Sequence, residues 1–207
     1  MPTGSKIMAA GAVGVKNVTL ELGGKSPLII FDDSDIKNAV KGALMANFLT
    51  QGEVCSNGTR VFVQRGIHDR FVEEFVRQAE KMKAGDPLAE DTTIGGTISE
   101  EHAKKVLGYV ESAVAEGATL ACGGKRVVLE GECAGGWYVS PAILTNCRCK
   151  IWTIKIDFIT LLRDDMKAVK EEIFGSVASV LVFDTEEEVI KRANDTTFGL
   201  AGGVFTK

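Results

Sequence analysis

Cys55 stands in a short polar loop, Thr50-Gln51-Gly52-Glu53-Val54-Cys55-Ser56-Asn57-Gly58. A thiol on a turn between two regular elements suits covalent catalysis, because a thiolate both attacks carbonyl carbon well and leaves well. The same residue can simply be a small apolar side chain at an element end, and most free cysteines are. Taken alone, the loop favours packing. The other reactive types do not change that balance. His68 and His102 sit in charged helical patterns, read as solvated, and lie far from Cys55 in sequence. Cys122, Cys133, Cys147 and Cys149 complete an odd set of five, which does not form a disulfide framework. The Cys147-x-Cys149 pair has no second cluster to complete a zinc site, so no metal is expected.

The elements that must carry Cys55 follow from periodicity. Leu28-Ile29-Ile30-Phe31 is a continuous apolar run, as in a buried parallel strand. Asp33-Ser34-Asp35 offers a helix cap, and apolar residues from Ile36 to Phe48 recur at helical spacing up to the Cys55 loop. Arg60–Gln64 is strand-like. Upstream, residues 5–16 read as a helix or loop, Val18–Leu22 alternates like a strand, and Gly23-Gly24 reads as a turn that also admits a ligand. Downstream, amphipathic helices are predicted over Ile67–Lys83 and from Ser99 to about Glu116, with a loop at 88–98 between them. Strands follow at Thr119–Cys122 and Val177–Phe183, with an extended segment from Trp137 to Leu144. Thr185 caps a last helix through Ala193, and Gly202–Phe205 is strand-like. Alternating strands and helices define an α/β fold with a largely parallel sheet flanked by helices.

Composition excludes several classes. With 45% hydrophobic and 25% charged residues, the chain has ordinary globular composition. Its net charge of −4, with both signs mixed along the chain, lacks the clustered basic face that nucleic acid requires. No apolar run is long enough to span a bilayer, so no membrane partner is expected. Residues Met1–Lys6 have neither a signal-peptide nor a transit pattern, which makes a cytoplasmic location the expectation.

Three stretches become informative together: Leu20-Glu21-Leu22-Gly23-Gly24-Lys25-Ser26-Pro27, Gln51-Gly52-Glu53-Val54-Cys55, and Lys170-Glu171-Glu172-Ile173-Phe174-Gly175. In this order, and with 34 positions from Glu21 to Cys55, they resemble the catalytic domain of the NAD(P)-dependent aldehyde dehydrogenase superfamily. The wording of residues 17–64 is most similar to the 4-trimethylaminobutyraldehyde (betaine aldehyde-type) subfamily. The resemblance implies an aldehyde-dehydrogenase-like catalytic domain, a small aldehyde (an aminoaldehyde among the candidates) as substrate, and NAD as cofactor. It assigns Cys55 as the nucleophile that passes through a thiohemiacetal and a thioester, and Glu21 as the base that activates water for thioester hydrolysis. It places Leu22, Gly23, Glu172 and Phe174 at the nicotinamide end of the coenzyme, with Glu172 on the ribose hydroxyls. Lys25 reads as structural, Phe174 by itself as core. An apolar setting from Leu20 and Leu22 would suit Glu21 as a base.

The resemblance also implies differences. The family's dinucleotide-binding half lies mostly before the Glu21 signature, so residues 1–16 read as a remnant of a coenzyme-binding domain. Residues 17–207 then form a catalytic domain without its C-terminal oligomerisation strand. The alternative function is an inactive shortened form or gene-model fragment, acting, if at all, by association with full-length subunits. Glu53 replaces a usual Gln, and a carboxylate so near Cys55 is expected to disfavour the thiolate. Ser176 replaces a usual Pro, which is expected to loosen its turn. Residues 149–163 have no counterpart in the family pattern; without them Cys147-Arg148 runs directly into Asp164-Asp165-Met166. That run is β-prone and apolar, an aggregation hazard if exposed, and reads as translated intron or a gene-model error. A transcript sequenced across residues 147–166 is expected to lack the codons for 149–163; their presence in mature message would make the run a natural part of the chain.

Overall fold

The computed structural model describes residues 2–145 and 163–207. Helix α1, Pro2–Ala12, comes first. Strand β1 is Pro27–Ile30, helix α2 Ile36–Phe48, strand β2 Arg60–Gln64 and helix α3 His68–Ala79. Helix α4, Glu100–Ala115, leads to strand β3, Thr119–Cys122, and to the short pair β4, Arg126–Val127, and β5, Tyr138–Val139. Strand β6 is Ala142–Thr145, helix α5 Lys167–Lys170, strand β7 Val177–Phe183, helix α6 Glu186–Asn194 and strand β8 Gly203–Phe205. The sheet runs β3-β6-β7-β2-β1-β8; β3 is antiparallel to β6 and every other pairing is parallel. The largely parallel α/β architecture expected from the sequence is therefore present.

The continuous apolar strands are explained by burial on both faces. Leu28, Ile30, Val61, Val63, Ala178 and Val180 face one core with α2 and α3. Their alternates Ile29, Phe62, Val177 and Leu181 face a second core with α4, α5 and α6. With a side-chain period of two, a strand covered on both faces is apolar at most positions rather than at every second one. Register aligns Pro27 with Arg60 and Arg60 with Ser179, which brings the starts of β1, β2 and β7 to one end of the sheet.

Helix α2 delivers the Cys55 loop. Asp35 is its N-cap in extended conformation, and its side chain accepts from the Asn38 N–H at 2.9 Å. Ala39, Val40, Ala43, Asn47 and Phe48 form its buried stripe.

The segment Val18–Leu22, expected as a strand, pairs with no strand among the described residues. It is held by side chains instead. Gly4 and Gly11, the two buried residues of α1, stand two turns apart on one face. A methyl group on Gly4 would lie 2.7 Å from Leu22, and one on Gly11 2.7 Å from Val18. Two glycine notches thus receive two alternate side chains, and a pattern with period two is used for docking on a helix rather than for pairing.

The histidines also differ from expectation. His68 is buried, with Nδ1 3.1 Å from Asp69 Oδ1 and Nε2 without a hydrogen-bond partner among the described residues. His102 is largely covered as well. Cys55, Cys122 and Cys133 are free thiols, and burial pushes the Cys122 thiol up to about 11. Cys147, Cys149 and all of residues 149–163 except Arg163 lie outside the described residues. Replacing the α2 cap by Asp35→Ala is expected to lower unfolding free energy by about 1 kcal/mol, seen as a lower urea midpoint with unchanged slope; an unchanged midpoint would show that the cap contributes nothing.

Candidate active site

Chain reversal after α2 shapes the Cys55 loop. Thr50, Gln51 and Gly52 take positive φ in succession, at 50°, 56° and 74°. Left-handed backbone is unfavourable by roughly 1–2 kcal/mol for a residue other than glycine, so the surroundings must hold it. The Glu53 N–H donates to Thr50 O at 2.9 Å and the Gly95 N–H to Gln51 Oε1 at 2.9 Å. Gly52 admits no side chain, because a methyl group there would lie 2.3 Å from the Gly175 carbonyl oxygen. The loop of Cys55 is therefore pressed backbone to backbone on the turn that follows Phe174.

The third stretch meets both. A methyl group on Gly24 would lie 2.3 Å from the Cys55 carbonyl oxygen, and one on Gly23 2.1 Å from Glu172 Oε2. Glu172 Oε1 accepts from the Gly24 N–H at 3.0 Å. Gly23 and Gly24 do not have positive φ and form no turn, contrary to expectation. They are glycines because two other segments approach their backbone too closely for a Cβ. Their contacts join Glu172 and Cys55, which are 117 positions apart, through one dipeptide two residues beyond Glu21.

The predicted side chains have distinct settings. Cys55, Leu22 and Glu172 are half-buried. Glu21 is exposed, so Leu20 and Leu22 do not enclose it as expected: Leu22 is turned onto Gly4 of α1. Phe174 is not core but 36% exposed, with φ 61°. Glu53 is directed to other partners than the thiol: Oε1 accepts from the Ile98 N–H at 3.2 Å and lies 3.7 Å from His102 Nε2. Ser176 is buried, and its carbonyl accepts from the Ala142 N–H at 2.8 Å, which ties that turn to β6.

Two residues under the site carry more than the sequence suggested. Lys25 is 1% exposed and its Nζ donates to the Ala168 carbonyl at 2.8 Å. Burial, and then the Arg60 guanidinium, draw its amine down to about 7, against the opposite pull of Glu172 and Glu171. Arg60, at the start of β2, was not anticipated. Its Nε donates to Lys25 O at 2.8 Å, and its two terminal nitrogens to Arg192 O at 3.2 Å and Ala193 O at 2.8 Å. A basic residue directly before the apolar run Val61-Phe62-Val63 is the sequence signal that could have marked it. The cavity of about 340 Å³ lined by Lys25, Ser26 and Leu200, and that of about 420 Å³ beside Arg60 and Asp164, include neither Cys55 nor Glu172. No cluster of three or more potential metal ligands occurs among the described residues.

With this geometry established, comparison with known proteins assigns the class. The chain belongs to the aldehyde dehydrogenase family, whose model matches residues 1–207. It is 60% identical over 208 residues to 4-trimethylaminobutyraldehyde dehydrogenase of Bos taurus and 58% identical to that of Homo sapiens. Each match takes in all of this chain and 39% of the relative, so the chain spans about two fifths of the length of these relatives. Among solved structures it is similar to the NAD+ complex of an aldehyde dehydrogenase from Bacillus cereus, with TM-score 0.84 and 42% identity over 99% of this chain and 38% of that one. Betaine aldehyde dehydrogenase from Staphylococcus aureus in complex with NAD+ gives TM-score 0.84 and 42% identity over 100% of this chain and 38% of that one.

The Lys25 amine yields a prediction whose sign is set by proton counting. The unfolded chain keeps this proton up to near 10.5, the folded chain only to about 7. The folded state therefore binds fewer protons in that window, and stability from this group rises with pH across it; the penalty is complete below it. In Lys25→Met the penalty is absent. The wild type should gain a few kcal/mol on the variant between pH 7 and about pH 10, measured by urea unfolding at each pH. A constant difference across that window would refute the assignment.

Proposed function

We propose that this chain carries the catalytic centre of an NAD-dependent aldehyde dehydrogenase acting on an aminoaldehyde. The observation that carries it is the joining of Cys55 and Glu172 through Gly23-Gly24, next to Glu21. The substrate class rests on the identity to relatives named for 4-trimethylaminobutyraldehyde.

Residues beside the Gly23-Gly24 dipeptide suit the nicotinamide end of the coenzyme. Glu172 offers carboxylate acceptors to a ribose diol, and Gly23 leaves no Cβ in the way. Phe174 presents an exposed aromatic face. The backbone of Leu22 and Gly23 would complete this side. NAD, when bound, accepts the hydride that the aldehyde loses.

The rest is done by the chain. Cys55, as thiolate, attacks the aldehyde carbon and holds it as a thiohemiacetal. Once hydride has gone, Cys55 carries a thioester. Glu21 takes a proton from water as its oxygen attacks that thioester, and the thiolate leaves with release of the carboxylic acid. Exposure of Glu21 puts its carboxylate in contact with solvent water, as this step needs. Residues 1–16 would belong to a coenzyme-binding unit and residues 17–207 to the catalytic unit. The competing idea, an inactive shortened chain that associates with full-length subunits, is not better supported than this reading, although the chain spans 39% of these relatives.

Two variants test the assignment. With 4-trimethylaminobutyraldehyde and NAD, Cys55→Ser should abolish formation of reduced coenzyme. Glu21→Gln should reduce steady turnover by about 10²–10⁴-fold while leaving acylation, so that a single burst of reduced coenzyme and a trapped thioester on Cys55 appear by mass spectrometry. Undiminished turnover in either variant would overturn its role. Absence of any Cys55-dependent chemistry in the wild type would overturn the function itself.

A further inference from the structure

Helix α4 touches both halves of the site, and nothing in the chemistry above accounts for it. His102 lies in its first turn, after Ser99, whose side chain accepts from the His102 N–H at 3.1 Å. The His102 ring is turned inward, its side chain only 14% exposed. Nε2 lies 2.5 Å from the Phe174 carbonyl oxygen and 3.7 Å from Glu53 Oε1. Since a carbonyl oxygen only accepts, Nε2 carries the proton and donates it to Phe174 O, while the Glu53 carboxylate stands within ion-pair distance of the same nitrogen. The ring also meets the Phe174 ring edge-on, with centroids 6.1 Å apart and planes at 76°.

The contact continues along the same face of α4. Val106, one turn on, packs on the next residue of the coenzyme loop, where a methyl group on Gly175 would lie 2.4 Å from its side chain. Further along, the Tyr109 hydroxyl donates to Glu171 Oε2 at 2.6 Å. Residues 171–175 are thus laid along one helix face, and that face begins at the residue that reaches Glu53, two positions before Cys55. Phe174 has the left-handed backbone that needs outside support, and His102 holds its carbonyl.

We propose that His102 is a positioning residue that locks the Cys55 loop to the Glu172–Phe174 loop and so sets the separation between nucleophile and coenzyme site. This rests on the function assigned above, in which the two loops carry the two halves of the reaction. His102 acts through Glu53 and the Phe174 carbonyl. A shift of one loop against the other would lengthen the path of the hydride, and such errors of alignment are expensive in rate.

Amide hydrogen exchange tests the lock without requiring turnover. In His102→Leu, exchange should rise about tenfold over both residues 50–56 and 171–176, with the body of α4 unchanged. His102→Gln, whose amide N–H can reach the Phe174 carbonyl, should restore both loops. Glu53→Ala should loosen residues 171–176, to which the Glu53 side chain makes no hydrogen bond among the described residues, and should add nothing to the effect of His102→Leu in the double variant. In kinetics, His102→Leu should raise KM for NAD about tenfold and lower kcat, and His102→Gln should recover both. Unchanged exchange in His102→Leu, loosening of one loop only, or no recovery with Gln would overturn the proposal. Should His102→Leu not fold, unaltered exchange over 171–176 in Glu53→Ala would overturn it equally. A wild type that lacks Cys55-dependent turnover would instead sink the functional assignment and leave the exchange comparison valid.

Discussion

Everything at this site depends on how closely other groups approach the backbone of Gly23 and Gly24. A Cβ on either would overlap the Glu172 carboxylate or the Cys55 carbonyl. Side chains keep neighbouring segments apart, and glycine, without a Cβ, lets them approach the backbone this closely. The same device recurs at Gly52 against Gly175, where the Cys55 loop meets the turn after Phe174. Three remote pieces of chain are therefore registered by close approach to glycine backbone, from the Cys55 and Gly175 carbonyls and from the Glu172 carboxylate.

Beneath these contacts, the protein buries two cations. Lys25 and Arg60 are both nearly inaccessible, and both spend their N–H groups mainly on carbonyl oxygens rather than on carboxylates. The Arg192 and Ala193 carbonyls, in the last turn of α6, carry partial negative charge and suit this role. The arrangement ties the segment after Gly24 to Ala168, Arg192 and Ala193, and so to the elements that flank Glu172. The draw on the Lys25 amine is the energetic mark of that burial. An amine that gives up its charge more readily than usual can be kept where a fixed charge would be far more unfavourable.

Much of the fold was legible in the sequence. Alternating apolar runs and capped amphipathic stretches located β1, α2, β2, α4, β7 and α6, because each must bury a face whose period its backbone dictates. Serine, threonine and aspartate at the starts of helices marked their ends, since those side chains serve N–H groups the helix leaves free. Val18–Leu22 shows the limit of such reasoning. Alternation records that every second residue is covered, not what covers it, and here the cover is a pair of notches in α1. His68 and His102 were misjudged for a related reason. A charged neighbourhood in sequence says little about which residues lie inward once two elements pack.

By itself, the sequence determined the chemical types: a thiol in a loop, a carboxylate ahead of two glycines, and a Glu-x-Phe stretch further on, in an order that resembles one enzyme family. It could do so because chemistry depends on residue identity, and identity is what a sequence records. Only the tertiary structure decided which of these meet. It turned Glu53 away to Ile98 and His102, left Glu21 open to solvent, brought Phe174 to the surface, and set α4 against both loops. Those outcomes depend on close approach between residues distant in the chain, which packing fixes and no local pattern encodes.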